Sequence, residues 1–333
     1  MTKQKILLKN IDKNDTPKYL RIVNAIKESI DENSLVVGDT IPSINEFSKD
    51  YKISRDTVYK AYTFLKNQGF IKSTPNKGYY ICDSRKRVLL LISTFKAYKE
   101  VLYHSFMENL PNNVIVDLQF HHYNIKNFKS MLDLDNGKYY KYIVMGFNHP
   151  EVEKSLSKIE SNKLLLIDWK INSKSRENYL FQDFGKGFYN CLKEALDLFK
   201  KYKELHFLYP EFTFHPEESV ICFKKFCKKN DFPFKVIKNS KEFLVERNVA
   251  YISVSDRMLY EFLGQTSFEG LELGKDVGIL SYNDTPWKKF TYKGITVVSV
   301  DFREFGLKAA EFISSNQPMQ TYLKTRLIIR ESL

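Results

Sequence analysis

YKISRDTVYKAYTFLKNQGF, residues 51–70, holds a full set of helix signals in twenty positions. Ser54 can cap a helix through its hydroxyl. Val58, Ala61, Tyr62 and Leu65 then fall on one face at helical spacing. Gly69 can take the left-handed conformation that ends it. The opposite face carries Arg55, Asp56, Thr57, Tyr59 and Lys60. Whether such a helix only packs, or is presented to a partner, depends on its neighbours.

Upstream, Thr16-Pro17 reads as a helix entry, with Thr as cap and Pro at the first helical position. Tyr19, Ile22, Val23, Ile26 and Ile30 form its apolar stripe, which fades near Glu32-Asn33, and Gly38-Asp39 marks a turn. Ser43-Ile44-Asn45-Glu46 is a capping box for a helix that turns Ile44, Phe47 and Tyr51 inward. Only Lys52-Ile53 separates it from Ser54, which is helix-turn-helix spacing. Downstream, residues 70–73 and 79–81 read as short strands around Pro75-Asn76-Lys77-Gly78, a hairpin wing with Lys77 at its tip. Arg55 can bond guanine with two hydrogen bonds, Thr57 and Tyr59 suit phosphates or base edges, and Lys60 suits phosphate. A helix N-terminus itself favours a phosphate.

Charge points the same way. The chain carries a net +12; residues 1–87 hold 17 Lys+Arg against 10 Asp+Glu, and the remaining 246 hold 35 against 30. About a quarter of the chain thus carries more than half of the excess. That is the pattern of a polyanion-binding module on a nearly balanced body.

Residues 17–81 resemble the winged-helix DNA-binding domain of the GntR family of bacterial regulators. Tyr19, Ile22, Gly38-Asp39-Thr40-Ile41-Pro42-Ser43, Ser54-Arg55-Asp56-Thr57-Val58, Ala61, Leu65, Gly69 and Lys77-Gly78 carry the likeness. The resemblance implies DNA contacts at Ser43, Asn45, Ser54, Arg55, Thr57, Tyr59 and Lys77. The family often has arginine where this chain has Asn45 and Tyr59, so its operator differs from the usual one.

After Arg85-Lys86-Arg87 the pattern changes. Apolar runs at 88–92, 114–118, 142–145, 164–167, 205–208, 249–253, 277–280 and 295–300 alternate with helical segments such as 99–110, 186–199, 217–229 and 302–314. Eight or more such strands imply two parallel α/β lobes. Ligands of such sheets bind beyond the carboxyl ends of the strands. Asp168, Gln182-Asp183, Ser255-Asp256-Arg257, Asn283-Asp284 and Asp301 stand there, beside Phe95, Phe147, Trp169 and Trp287. Carboxylates, amides and aromatic faces suit a neutral, polyhydroxylated ligand; helix capping is the competing use of Asp183 and Asp256.

Residues 277–301, VGILSYNDTPWKKFTYKGITVVSVD, followed by FREFGLKAAEFI, resemble the end of the ligand-binding domain of the lac and gal repressor class. Residues 164–168, Phe181-Gln182-Asp183 and residues 252–256 match in the same order. The resemblance implies effector contacts at Asp168, Ser255, Asp256, Asn283 and Asp301; Phe95, Asp183 and Arg257 are added from their place beside the strand ends. Where that class has an arginine a few residues before a glycine, this chain has Glu217, Glu218, Ser219 and Cys222.

The expected architecture is α/β: a winged helix-turn-helix domain in residues 1–82, a basic linker at 83–87, and a two-lobed, periplasmic-binding-protein-like Rossmannoid effector-binding and dimerisation domain in 88–333. A GntR-type head on a sugar-repressor body is a pairing known in arabinose-responsive repressors. It implies a homodimer on double-stranded operator DNA, governed by a carbohydrate such as a pentose, hexose or deoxyhexose. A phosphorylated sugar, a non-sugar metabolite, or an enzyme body fused to the head are the alternatives. FGKGF at 184–188 lacks the spacing of a phosphate loop, and the six histidines have no metal spacing. No enzyme activity, cofactor or metal is therefore expected. No run of about 18 apolar residues exists, residues 1–15 do not read as a secretory signal, and four scattered cysteines fit a reducing compartment. The expected location is the cytoplasm, with no membrane partner.

Overall fold

The computed structural model describes residues 16–75, 77–82, 85–133, 138–171, 178–239, 243–315 and 317–333. It divides into two compact units. The first ends at Val88 and also takes in Pro111–Asp117; the second holds Leu89–Leu110 and Leu118–Leu333. Asn76 of the wing and residues 83–84 of the expected linker lie outside the described residues.

The head has helices at Lys18–Asp31, Ile44–Tyr51 and Arg55–Asn67. Pro17 stands at the cap of the first helix in an extended conformation, so the helix begins one residue later than expected. Thr16 offers its carbonyl to Arg21 Nε (2.8 Å), and no side chain caps this helix. The Ser43–Glu46 box forms as expected: Ser43 N donates to Glu46 Oε2 at 2.8 Å, and Glu46 N to Ser43 Oγ at 3.3 Å. Lys52, at φ 51, makes the sharp turn into Ser54, and Gly69, at φ 76, follows the end of the third helix. Val58, Ala61, Tyr62 and Leu65 are buried against Ile22, Val23, Ile26 and Phe47. The wing pairs Ile71–Thr74 with Gly78–Ile81. Thr40–Ile41 adds a third strand to this sheet, too short to show a period in sequence.

The body contains two six-stranded sheets. The first runs, in spatial order, Gln320–Leu323, Tyr179–Gln182, Leu164–Asp168, Lys141–Met145, Lys86–Ile92 and Val114–Phe120. The second runs Phe234–Ile237, Glu204–Leu208, Val249–Ser253, Gly278–Tyr282, Thr296–Ser299 and Arg326–Ile328. Neighbouring strands of the second sheet pair in parallel except the last, which is antiparallel. The expected helix 186–199 is broken at Ala195 into Lys186–Glu194 and Leu196–Phe199. The chain passes between the sheets three times: after Gln182, after Ser299 and after Leu323. Helix Phe302–Ser314, which follows the second sheet, packs on helix Ala97–Glu108 of the first lobe. Gly306 makes that contact close, since a Cβ there would sit 2.4 Å from the Leu102 carbonyl oxygen.

Candidate nucleic-acid interface and ligand cleft

In the head, Ser54 fixes the start of the third helix. Its Oγ accepts from Thr57 N at 3.3 Å and lies 2.7 Å from Thr57 Oγ1. Arg55 and Tyr59, one helical turn apart, are both exposed, Tyr59 to 61 %. The Arg55 side chain makes no hydrogen bond or ion pair among the described residues, so its fork of donors is available. Lys60 Nζ rests 4.4 Å from the centre of the Tyr19 ring, and Lys77 Nζ lies 4.2 Å from that of Tyr80 on the wing. Ser43 spends its acceptor on the capping box, while the adjacent Asn45 is exposed. The eight positions expected to face DNA thus comprise six exposed side chains and two half-buried hydroxyls, Ser43 and Thr57.

In the body, a cavity of about 270 Å³ is lined by residues at or just past the carboxyl ends of strands from both sheets. Asp168 ends one strand with φ 80 and is buried. Gln182 Nε2 donates to its Oδ1 at 2.5 Å. Burial pushes the Asp168 carboxyl pKa up, and the Lys99 ammonium and the Gln182 amide hold it back. Lys99 is itself buried, donating to Ser93 Oγ at 2.6 Å. Burial brings its pKa down to about 8, against the pull of Asp168. Tyr98 is driven well above the ordinary phenol value, first by desolvation and then by Asp168, so it remains a donor.

The second lobe contributes Val254, Ser255, Asp256, Tyr282, Asn283 and the turn 212–215. Lys288 is wholly buried and holds this wall together. It donates to Ser281 Oγ, Tyr282 O and Asn283 O, and pairs with Asp256 at 2.9 Å. Phe214 of this lobe stacks face to face on Tyr123 of the other, with ring centres 3.7 Å apart. His215 lies 4.5 Å from the Tyr282 ring, and desolvation, aided by Lys96, holds its pKa down at about 3, so the imidazole is neutral.

Three lining atoms are buried and have no hydrogen-bond partner: His215 Nε2, Tyr282 Oη and Asn283 Oδ1. Buried polar groups are ordinarily satisfied, so three orphans on one cavity wall mark it as built for a guest. Tyr282 donates, Asn283 accepts, and the neutral imidazole does either according to its tautomer.

Of the positions expected from sequence, Asp168, Ser255, Asp256 and Asn283 line this cavity, and Phe95, Asp183, Arg257 and Asp301 do not. Phe95 is exposed and packs edge-on against Tyr103 and Phe120. Asp183 accepts from Gly185 N at 3.0 Å. Arg257 lies over the Phe212 ring and lines a hollow on helix Asp256–Phe268. Asp301 caps helix Phe302–Ser314 through Arg303 N and Glu304 N. Sequence reasoning had not named Tyr98, Lys99, Tyr123, His215, Tyr282 or Lys288. Tyr282 alone carried a signal, standing directly before the strand-end Asn283. Among the described residues no cluster of His, Cys, Asp and Glu could hold a metal, and no helix is long and apolar enough to cross a membrane.

The pattern of bacterial regulatory proteins of the gntR family matches residues 18–81. Residues 18–81 are a GntR-family domain. This GntR-family head is also similar to the uncharacterized HTH-type transcriptional regulator YcxD of Bacillus subtilis, at 38% identity over 64 residues. The match covers 19% of this chain and only 14% of that protein. The body has the fold of the lac-type repressors. It is similar to the trehalose repressor from Escherichia coli (TM-score 0.62, 13% identity, 74% of this chain and 100% of that one). It is likewise similar to a LacI family transcriptional regulator from Enterococcus faecium with bound ribose (TM-score 0.61, 14% identity, 74% and 98%). At such identities the likeness concerns the fold alone.

Proposed function

We propose that the chain is a transcriptional regulator that binds operator DNA as a homodimer and is governed by a small neutral carbohydrate held in the body's cleft. The observation that carries the ligand half is the trio of unpartnered buried atoms on His215, Tyr282 and Asn283, facing the same cavity as Asp168. A ring of hydroxyls satisfies acceptors and donors together, and Trp169 and the Tyr123–Phe214 stack offer faces for its apolar side. A phosphate is disfavoured, because Asp168 and Asp256 line the cavity and Lys96 is its one lining cation. About 270 Å³ is near the lower end of ligand-pocket sizes, which favours a monosaccharide. Among the similar structures, one is a trehalose repressor and another holds ribose.

Two half-sites in an operator need two heads. Leu244, 74 % exposed, and Phe268, 88 % exposed, border one hollow with Tyr260, an apolar patch suited to a second copy. Sugar in the cleft draws the lobes together, and that motion alters the spacing of the two heads.

The test is a gel shift with the DNA upstream of the chain's own gene, with and without ribose, arabinose, galactose, fucose and their phosphorylated counterparts. Retardation relieved or strengthened by one neutral sugar is expected. No retardation with any DNA would sink the regulator reading, and a response only to phosphorylated compounds would sink the neutral effector. Arg55→Ala should abolish retardation and keep the thermal response to sugar.

A further inference from the structure

A second hollow, of about 280 Å³, shares no lining residue with the cleft. Three cations border it from three separate segments: Lys289 at the end of the turn Pro286–Lys289, Arg303 in the first turn of helix Phe302–Ser314, and Arg326 at the head of strand Arg326–Ile328. None of the three side chains makes an ion pair among the described residues. The two carboxylates of the wall are already engaged. Asp284 is clasped by both terminal nitrogens of Arg330, at 2.9 and 2.7 Å. Asp301 Oδ1 accepts from Arg303 N at 2.8 Å and Glu304 N at 3.2 Å.

Thr285 also lines the hollow. It is only 2 % exposed, and its hydroxyl is buried without a hydrogen-bond partner. Such a hydroxyl is costly to leave unmated, and this one stands beside three uncommitted cations.

We propose that this hollow binds a phosphate group, either inorganic phosphate or the phosphate of a small ester. Guanidinium forks match tetrahedral oxyanions with paired, charge-assisted hydrogen bonds, which assigns Arg303 and Arg326 to the equatorial oxygens. Lys289 supplies a point charge, and the Thr285 hydroxyl donates to the innermost oxygen. Asp301 opposes this field, but three cations outnumber it. The position gives the site a consequence. Arg303 follows the chain's second passage between the lobes and Arg326 its third, so an anion shared by both ties two of the three connections to the segment 284–289. Occupancy restrains the movement of one lobe against the other. The site is independent of the carbohydrate cleft and of what occupies it.

Isothermal titration of the full chain in a phosphate-free buffer tests this, with inorganic phosphate in one arm and glucose 6-phosphate in the other. One saturable site per chain is expected in at least one arm; the tighter arm tells free anion from ester. Arg326→Gln should weaken binding by about tenfold or more, the loss expected for a charge-assisted hydrogen bond. Thr285→Val, nearly isosteric, should weaken it while raising or preserving the melting temperature. Asp168→Asn, in the cleft, should leave phosphate affinity unchanged. Absence of saturation by about 10 mM in both arms overturns the site, since so weak a binding free energy does not need one. Loss of phosphate binding in Asp168→Asn, with Arg326→Gln unaffected, moves the anion to the cleft and overturns it as well.

Discussion

Replacing Tyr282 by phenylalanine removes one oxygen atom from the cleft wall and leaves the ring contacts with Phe184, Phe188 and His215 in place. In the empty protein that oxygen is buried and unpartnered. A buried polar atom without a partner costs about 1–3 kcal/mol, and water entering the cavity recovers part of this. Tyr282→Phe therefore leaves the empty protein as stable as before or up to a few kcal/mol more stable, with each kcal/mol worth about 2–4 °C in a body of this size. With sugar bound the sign reverses. The lost hydrogen bond is worth about 0.5–1.5 kcal/mol net, a fall in affinity of about 2–10-fold. Differential scanning of wild type and variant, alone and with each sugar that shifts the wild type, measures both terms. A variant that melts more than about 2 °C lower when empty, yet keeps the full sugar-induced shift, would refute the reasoning. The hydroxyl would then serve the fold and not the guest.

Other outcomes follow from the same geometry. Burial holds His121 at about 4 and His215 at about 3, against an ordinary 6.5, so both are neutral when folded and the unfolded chain takes up their protons first as pH falls. Stability present above pH 6.5 should decline toward pH 4 and 3 at up to about 1.4 kcal/mol per pH unit for each histidine; a flat series of urea melts between pH 7.5 and 5 contradicts this. Gly306→Ala drives a methyl into the Leu102 carbonyl and should destabilise the body by about 1–3 kcal/mol; an unchanged denaturation midpoint contradicts the close approach of the two helices. Phe268→Asp should convert a dimer to a monomer in sedimentation experiments, and a persisting dimer places the contact elsewhere.

The head was legible almost residue by residue because its determinants are local. The Ser43–Glu46 box, the Ser54 cap, the Gly69 stop and the face of Val58, Ala61, Tyr62 and Leu65 all lie within one or two turns of what they control. The strand interiors of the body were legible for the same reason, as short apolar runs. The edge strands Phe234–Ile237, Gln320–Leu323 and Arg326–Ile328 were not, because an edge strand is half exposed and its residues lose the apolar signature. In the cleft, the rule that ligands meet strand ends found Asp168, Ser255, Asp256 and Asn283. It overreached at Asp183 and Asp301, whose carboxylates satisfy backbone N–H groups where the chain passes between lobes. His215 and Lys288 escaped because their role depends on burial created by distant segments. Tyr282 escaped because a strand tyrosine looks like core until its hydroxyl is seen to lack a partner.

The three passages between the sheets have a consequence in time. Neither lobe is continuous in the chain: the first sheet is finished only when Gln320–Leu323 pairs with Tyr179–Gln182. The head, by contrast, is complete once the strand Gly78–Ile81 is made. At about 5–20 residues per second of synthesis, the stretch between these two events takes roughly 10–50 s. For that interval a nascent chain carries a finished winged helix and a body whose cleft does not yet exist. A protein built in this order acquires its means of gripping before its means of letting go.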